Sequence, residues 1–305
     1  MGPTPTGPTE RVWRPAYVLD VATVLGPLRR GHGDPAYRID GSTHWLAANT
    51  PVGVGTLAIT VGGGEVRTAA WGPAASWLLE GVPALLGADD DDSEFVAHHS
   101  VVRDVRRRLP GLRLGATRRV WDVLVAAVLE QKVTGTEAHR SWRELAYRFG
   151  SVAPGPFAGL RVPPGPRALL GLRDWEWHQA GVDGARRRTL VRAAQVAHQL
   201  ERSVELGGVA GRDRLRLVPG VGVWTTAEVA QRSWGDADAV SFGDLHIPHV
   251  VGTALVGRRL DDAGMAEVLS PYAPQRHRAV RYIEAAGIRA PRFGPRFSPR
   301  DYRRC

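Results

Sequence analysis

Asp244 stands at the head of an apolar run over 245–255, and about twenty residues before it lies the turn Pro219-Gly220-Val221-Gly222. Pro219 and Gly220 stop one helical pattern, and Gly222 permits a close backbone approach. A second helical pattern restarts at Trp224 and runs to Trp234. Backbone N–H groups at such a restart have no partner inside the helix, which makes them a seat for a phosphate. A phosphate seat followed at this distance by one carboxylate is an arrangement for chemistry on a nucleotide. Asp244 would also serve as a plain N-cap for the helix after it, and the two roles are compatible.

Val218-Pro219-Gly220-Val221-Gly222-Val223-Trp224-Thr225-Thr226, with Phe242-Gly243-Asp244-Leu245 after it, resembles the helix-hairpin-helix and aspartate loop of the DNA base-excision glycosylases. Within that superfamily it is most similar to the bacterial DNA-3-methyladenine glycosylases of type II. Three more segments resemble the same family. Residues 123–131, ending in Glu130-Gln131, resemble the segment before its DNA-wedging turn; Gly181 to Ala194 resembles its Gly-x-x-x-x-Arg helix entry; Pro271-Tyr272-Ala273-Pro274-Gln275-Arg276 with Ala279 is similar to its Trp-x-Pro-Trp-Arg-x-x-Ala segment. The likeness covers 115–285 by motif and 13–90 only by the order of elements.

The resemblance implies a mainly α protein: a helical glycosylase core of two subdomains behind an N-terminal α+β lobe. It implies base flipping and excision of damaged, alkylated purines from double-stranded DNA, the first step of base excision repair, by a monomer. Cleaving an N-glycosidic bond builds positive charge on the sugar, and a carboxylate beside C1′ stabilises that charge and orients water. Asp244 is the catalytic candidate. Gly220, Val221, Gly222 and Thr225 would hold the DNA backbone, reading no sequence. The carbonyls of Arg216, Val218 and Val221 would hold a monovalent cation, Na or K, with no metal bound by side chains.

Trp224 decides between two mechanisms. Strand-cutting members of the superfamily carry at this place a lysine that attacks C1′; here the sole lysine, Lys132, lies in another segment. Hydrolysis that leaves an abasic site follows. Trp224 would line the base pocket and stack on the extruded base, or else pack the hairpin as a core residue. Gln131 and Lys132 fall on the strand-wedging turn; Lys132 departs from the usual apolar or glutamine wedge and reads equally as a solvated loop lysine. Glu228, one helical turn past Trp224, replaces an aromatic of the best-known members. Facing the pocket, it would bond an exocyclic amine or attract a cationic base. His246 and His249, three apart, lack a third metal ligand nearby and read as phosphate contacts or helix surface. Other base specificities on the same fold, uracil, hypoxanthine or a mismatched base, remain open, as does a non-catalytic binding module, which would need the hairpin but no acid at 244.

Composition sets the outer limits. The net charge of +9 in 305 residues suits a polyanionic partner, although nearly all of it is arginine, as in a chain from a GC-rich genome. Cys305 is the only cysteine, which excludes an iron–sulfur cluster or a disulfide framework. Residues 1–10 lack the apolar core of a signal peptide, and no apolar run approaches the ~20 residues of a membrane span. The expectation is a protein of the bacterial cytoplasm, acting at the nucleoid.

The elements that must position these residues follow from periodicity. Residues 1–12 read as a disordered tail and 13–90 as the α+β lobe, with strands at 36–40, 43–49, 53–61 and 65–71 and a hairpin turn at Gly62-Gly63-Gly64. One short helix is expected over 17–28 and another over 73–86. Asp89-Asp90-Asp91-Asp92 reads as a solvated linker. The helical core spans 91–287, with the hairpin at 210–234; a core helix is expected at 119–131, a loop over 154–166 and one long helix over 186–201. An arginine-rich tail, 288–305, closes the chain.

Overall fold

Alternating apolar residues in the first seventy positions build an antiparallel sheet. Its strands are β1 (Thr9–Trp13), β2 (Tyr37–Asp40), β3 (Thr43–Thr50), β4 (Gly53–Gly62) and β5 (Glu65–Trp71), in the order β1-β5-β4-β3-β2. Gly63 and Gly64, both at positive φ (60° and 76°), make the two-residue turn that sets the β4–β5 register, Gly62 opposite Glu65. The structure, a computed structural model, describes residues 7–288, 298, 299, 301 and 303. The expected tail over 1–12 is corrected within that span. Thr9–Trp13 pairs along β5, because Glu10-Arg11-Val12-Trp13 complements its free edge. The sheet packs its inner face, Leu46, Leu57, Ile59, Val66 and Ala70, on the short helices α1 (Val21–Leu25), α2 (Ala75–Glu80) and α3 (Val82–Leu85). The helix expected over 17–28 is only Val21–Leu25 plus one 3-10 turn, since Asp20 caps it late, accepting from Thr23 N at 3.1 Å.

The rest is helical and falls around two cores, matching the expected pair of helical subdomains. One core centres on α5 (Trp121–Leu129), whose nine residues are all buried. Around it pack α6 (Gly135–Phe149), two short helices, α7 (Pro166–Leu170) and α8 (Asp174–Gln179), and then α9 (Gly184–Gln195), α10 (Ala197–Glu201), α11 (Ser203–Leu206), α12 (Gly208–Arg216) and α13 (Val223–Ser233). Truncating Leu124, fully enclosed here, would cost about 2–5 kcal/mol. The helix expected over 186–201 breaks at Val196, and the loop expected over 154–166 ends in a two-stranded ribbon, Ser151–Val152 against Arg161–Val162. The second core joins α4 (Ser100–Arg108) to the C-terminal helices α14 (Ile247–Val256), α15 (Asp262–Leu269) and α16 (Arg276–Ala285) through Val102, Val105, Val251, Leu269 and Ile283.

Ion pairs and caps lock these parts together. Asp90 corrects the solvated-linker expectation for 89–92: its side chain is 3% exposed and pairs with Arg278 of α16, itself 1% exposed. Arg30 of the lobe pairs with Glu130 at the end of α5, and Asn49 of β3 donates twice to Asp122 at its start. The N–H groups of Thr117 and Arg118 cap α13 by bonding the carbonyls of Arg232 and Ser233. Arg186 fills a similar role inside the helical core, donating to the carbonyls of Leu129 and Gly181. The arginines expected in the tail lie mostly outside the described residues; Arg303 pairs with Glu144 of α6 and with Asp301. Among the described residues no helix is long and apolar enough to cross a membrane.

Candidate active site

The hairpin forms because the chain between α12 and α13 turns where only glycine fits. Gly220 has φ +102°, and a Cβ there would meet Thr189 Oγ1 of α9 at 2.0 Å. The turn closes with Val221 N donating to Val218 O at 2.9 Å, while Val218 and Val221 bury their side chains in the first helical core. Gly222, in extended conformation, precedes α13, which begins without a side-chain cap. Open space surrounds the position a Cβ of Gly222 would occupy. The start of α13 is thus free to receive an anion. Thr225 differs from its neighbours on the turn. It is 2% exposed, and its hydroxyl faces inward to accept from Gln131 Nε2 at 2.8 Å.

Gln131 also donates to Gly220 O at 3.0 Å, so its amide ties the turn after α5 to the hairpin. Lys132, next in sequence, is exposed and held at φ +54°. The two residues expected to share the wedge therefore part. One is bound into the frame; the other projects from it.

Asp244 lies just before α14. Its Oδ1 accepts from His246 N at 2.7 Å and Ile247 N at 3.0 Å, so the carboxylate does cap the helix. Its Oδ2 accepts from Trp224 Nε1 at 3.0 Å. Both residues are half-buried and line a cavity of about 710 Å³. The cavity opens between the hairpin helix α13, the start of α14, one face of α16 and the lobe segment 22–28. Its volume falls within the range of small-molecule sites.

Apolar and ionisable side chains share its walls, and most of the charges are paired with one another. Glu228, 9% exposed, pairs with Arg232 at 2.8 Å and accepts from Ser241 Oγ at 2.6 Å. Arg281 pairs with Glu284 at 3.2 Å, and Glu130 with Arg30 at 3.1 Å. Arg232 Nε reaches across to Pro27 O at 3.0 Å, binding the lobe to the hairpin helix. Burial pushes the Glu284 carboxyl above its usual range, opposed by Arg281; with 42% of the side chain open to solvent, screening keeps that effect small. His277 is held well below the ordinary histidine value by burial first and then by Arg281, Arg232 and Arg278, so it is a neutral imidazole in the wall. Among the described residues, Asp244 is the cavity carboxylate that has no cationic partner.

Sequence reasoning located Trp224, Glu228 and Asp244, and the structure brings all three to the cavity. It missed Arg232, His277, Arg281 and Glu284. The four-residue spacing of Glu228 and Arg232 was a usable signal. His277, Arg281 and Glu284 fall on one face of α16 at helical spacing, but nothing local says that this face meets a cavity. His246 lines the mouth, whereas the His249 ring turns away to Leu260 O at 2.9 Å. Among the described residues no three metal-binding side chains converge.

No protein-family model matches the sequence, and no curated protein matches it either. Solved structures do match by shape. The 3-methyladenine DNA glycosylase from Archaeoglobus fulgidus superposes with a TM-score of 0.75 at 14% identity, covering 90% of this chain and 97% of that one. MBOgg1 in complex with a low-affinity DNA ligand gives 0.71 at 15% identity, covering 92% and 95%. The Clostridium acetobutylicum 8-oxoguanine glycosylase/lyase, bound to double-stranded DNA with cytosine opposite 8-oxoG, gives 0.70 at 10% identity over 90% and 95%. The chain therefore shares the overall fold of these DNA glycosylase structures.

Proposed function

We propose that the protein is a monofunctional DNA N-glycosylase that removes damaged purines, alkylated ones foremost, from double-stranded DNA as a monomer. The observation that carries this reading is Asp244, a carboxylate left without a cation in the wall of a cavity with ample room for a base, beside the hairpin. Its negative charge is available to the sugar. As the N-glycosidic bond breaks, its electron pair leaves with the base, and Asp244 stabilises the cationic sugar. Water then adds its oxygen to C1′ and gives up a proton, to the departed base where that leaves as an anion and to solvent where a cationic alkylated base leaves neutral, so that an abasic site remains. The hairpin position at which strand-cutting relatives would need an amine is Trp224, which supports hydrolysis over lyase chemistry. The N–H groups around Gly220 and Gly222 are suited to hold a backbone phosphate, with the carbonyls of Arg216, Val218 and Val221 offered to a Na or K ion.

The polar groups in the cavity wall favour a second substrate class on the same fold. Among the described residues, Trp224 is the one aromatic of its wall apart from the two histidines, while Glu228, Arg232 and His277 offer hydrogen bonds to a base edge. A neutral lesion such as hypoxanthine, or a uracil or mismatched base, would be read that way. Both classes are separated by one assay. Duplexes treated with a methylating agent, or carrying a single hypoxanthine, uracil or mismatch, are incubated with the protein and then with alkali. Breaks that require alkali support the proposal, and the substrate that yields them names the class. Breaks without alkali would make the protein a lyase; binding without release of any base would make it a DNA-binding module.

A further inference from the structure

We infer that Trp224 is a positioning residue that fixes which oxygen of Asp244 meets the sugar, an inference that rests on the glycosylase reading above. A carboxylate oxygen offers two lone-pair sites. Oδ1 of Asp244 uses both, on His246 N at 2.7 Å and Ile247 N at 3.0 Å. Oδ2 takes one bond, from Trp224 Nε1 at 3.0 Å, and keeps one site open. Reaction at Asp244 thus proceeds through Oδ2, on the side the indole leaves free.

Two elements share this task. The bonds to Oδ1 come from the backbone at the start of α14. The bond to Oδ2 comes from the first turn of α13, so the two oxygens, both off the Cβ–Cγ axis, are clamped from two sides and the carboxylate plane is fixed. Trp224 is itself anchored, since Thr225 and Thr226 beside it are buried. An indole N–H is a neutral donor that neither titrates nor accepts. A lysine at 224 would cancel the charge of Asp244 or attack the sugar itself; tryptophan orients the charge and leaves it intact.

The test separates orientation from stacking. Single-turnover base release is measured for Trp224→Phe, which keeps an aromatic face and loses the N–H. A second variant carries benzothienylalanine at 224, which keeps the bicyclic shape and replaces the N–H by sulfur. Both are expected to slow the chemical step by about 10- to 100-fold, with half-saturating DNA concentration and affinity for abasic duplex unchanged. In an Asp244→Asn background, Trp224→Phe is expected to change the residual rate by less than about twofold. The inference is overturned if either variant stays within twofold of the parent rate, or if Trp224→Phe slows the Asp244→Asn protein by the same factor as the parent. A raised half-saturation with an unchanged rate would likewise overturn it in favour of base stacking. Failure of the unmodified protein to release any base is a different result, and removes the glycosylase reading along with it.

Discussion

Asp244 and Glu228 face one cavity from neighbouring elements, and their surroundings treat charge in opposite ways. Glu228 meets Arg232 at 2.8 Å and a serine hydroxyl at 2.6 Å, and the pair becomes part of the wall between hairpin and lobe. Asp244 meets three neutral N–H groups. A charge that is bonded by dipoles stays a charge; a charge that meets its opposite becomes structure. The difference teaches where chemistry can occur in a cavity crowded with ionisable groups.

The largest effect tests that contrast directly. Asp244→Asn is expected to lower the rate of base release by about 10³-fold, on the order of 4 kcal/mol, while the melting temperature stays close to the parent. Glu228→Gln is expected to keep most of the rate and to lower stability instead, because Arg232 loses its counter-charge. Equal loss of rate in the two variants would break the comparison.

Next in size is the pair Asp90–Arg278, a second case of charge used as structure. Arg278→Met leaves Asp90 buried and unpaired, and denaturant titration is expected to show a loss of about 3 kcal/mol. A change below ~1 kcal/mol would show that the linker is free of α16.

His277 sharpens the comparison through pH. Its folded value lies well below the ordinary 6.5, so below that pH the unfolded chain takes up a proton that the folded chain refuses. Stability is therefore full above the unfolded value and falls as pH drops below it, by up to about 1.4 kcal/mol per pH unit. His277→Gln should flatten thermal stability between pH 7 and pH 5; an unchanged slope would place the proton elsewhere. The smallest effect belongs to Lys132. Lys132→Ala is expected to leave stability within ~0.5 kcal/mol and to reduce the salt dependence of DNA binding by about one phosphate contact. No change in that slope would remove Lys132 from the DNA surface.

Short-range patterns made the hairpin, the strand order from 36 to 71 and the position of Asp244 readable in the sequence. Each depends on neighbours within one turn or one element. Asp90 was not readable, because its partner lies 188 residues away and four successive aspartates look solvated. The same applies to the α16 face of the cavity, whose residues acquire meaning only when α16 is laid beside α13. Val196 carries no glycine or proline to announce a break. Thr9–Trp13 follows a run of prolines and glycines that disguises a strand, and the edge of β5 supplies the missing reason.

Gln131 links the candidate grip and the candidate wedge. Its single amide bonds both Gly220 O and Thr225 Oγ1, so the turn that bears Lys132 and the turn that would seat a phosphate form one stiff jaw. A duplex seated on that jaw would be gauged as well as held. The distance from backbone phosphate to inserted side chain would be set before contact, as on a ruler, and a strand of the wrong spacing would be refused before any base left the stack.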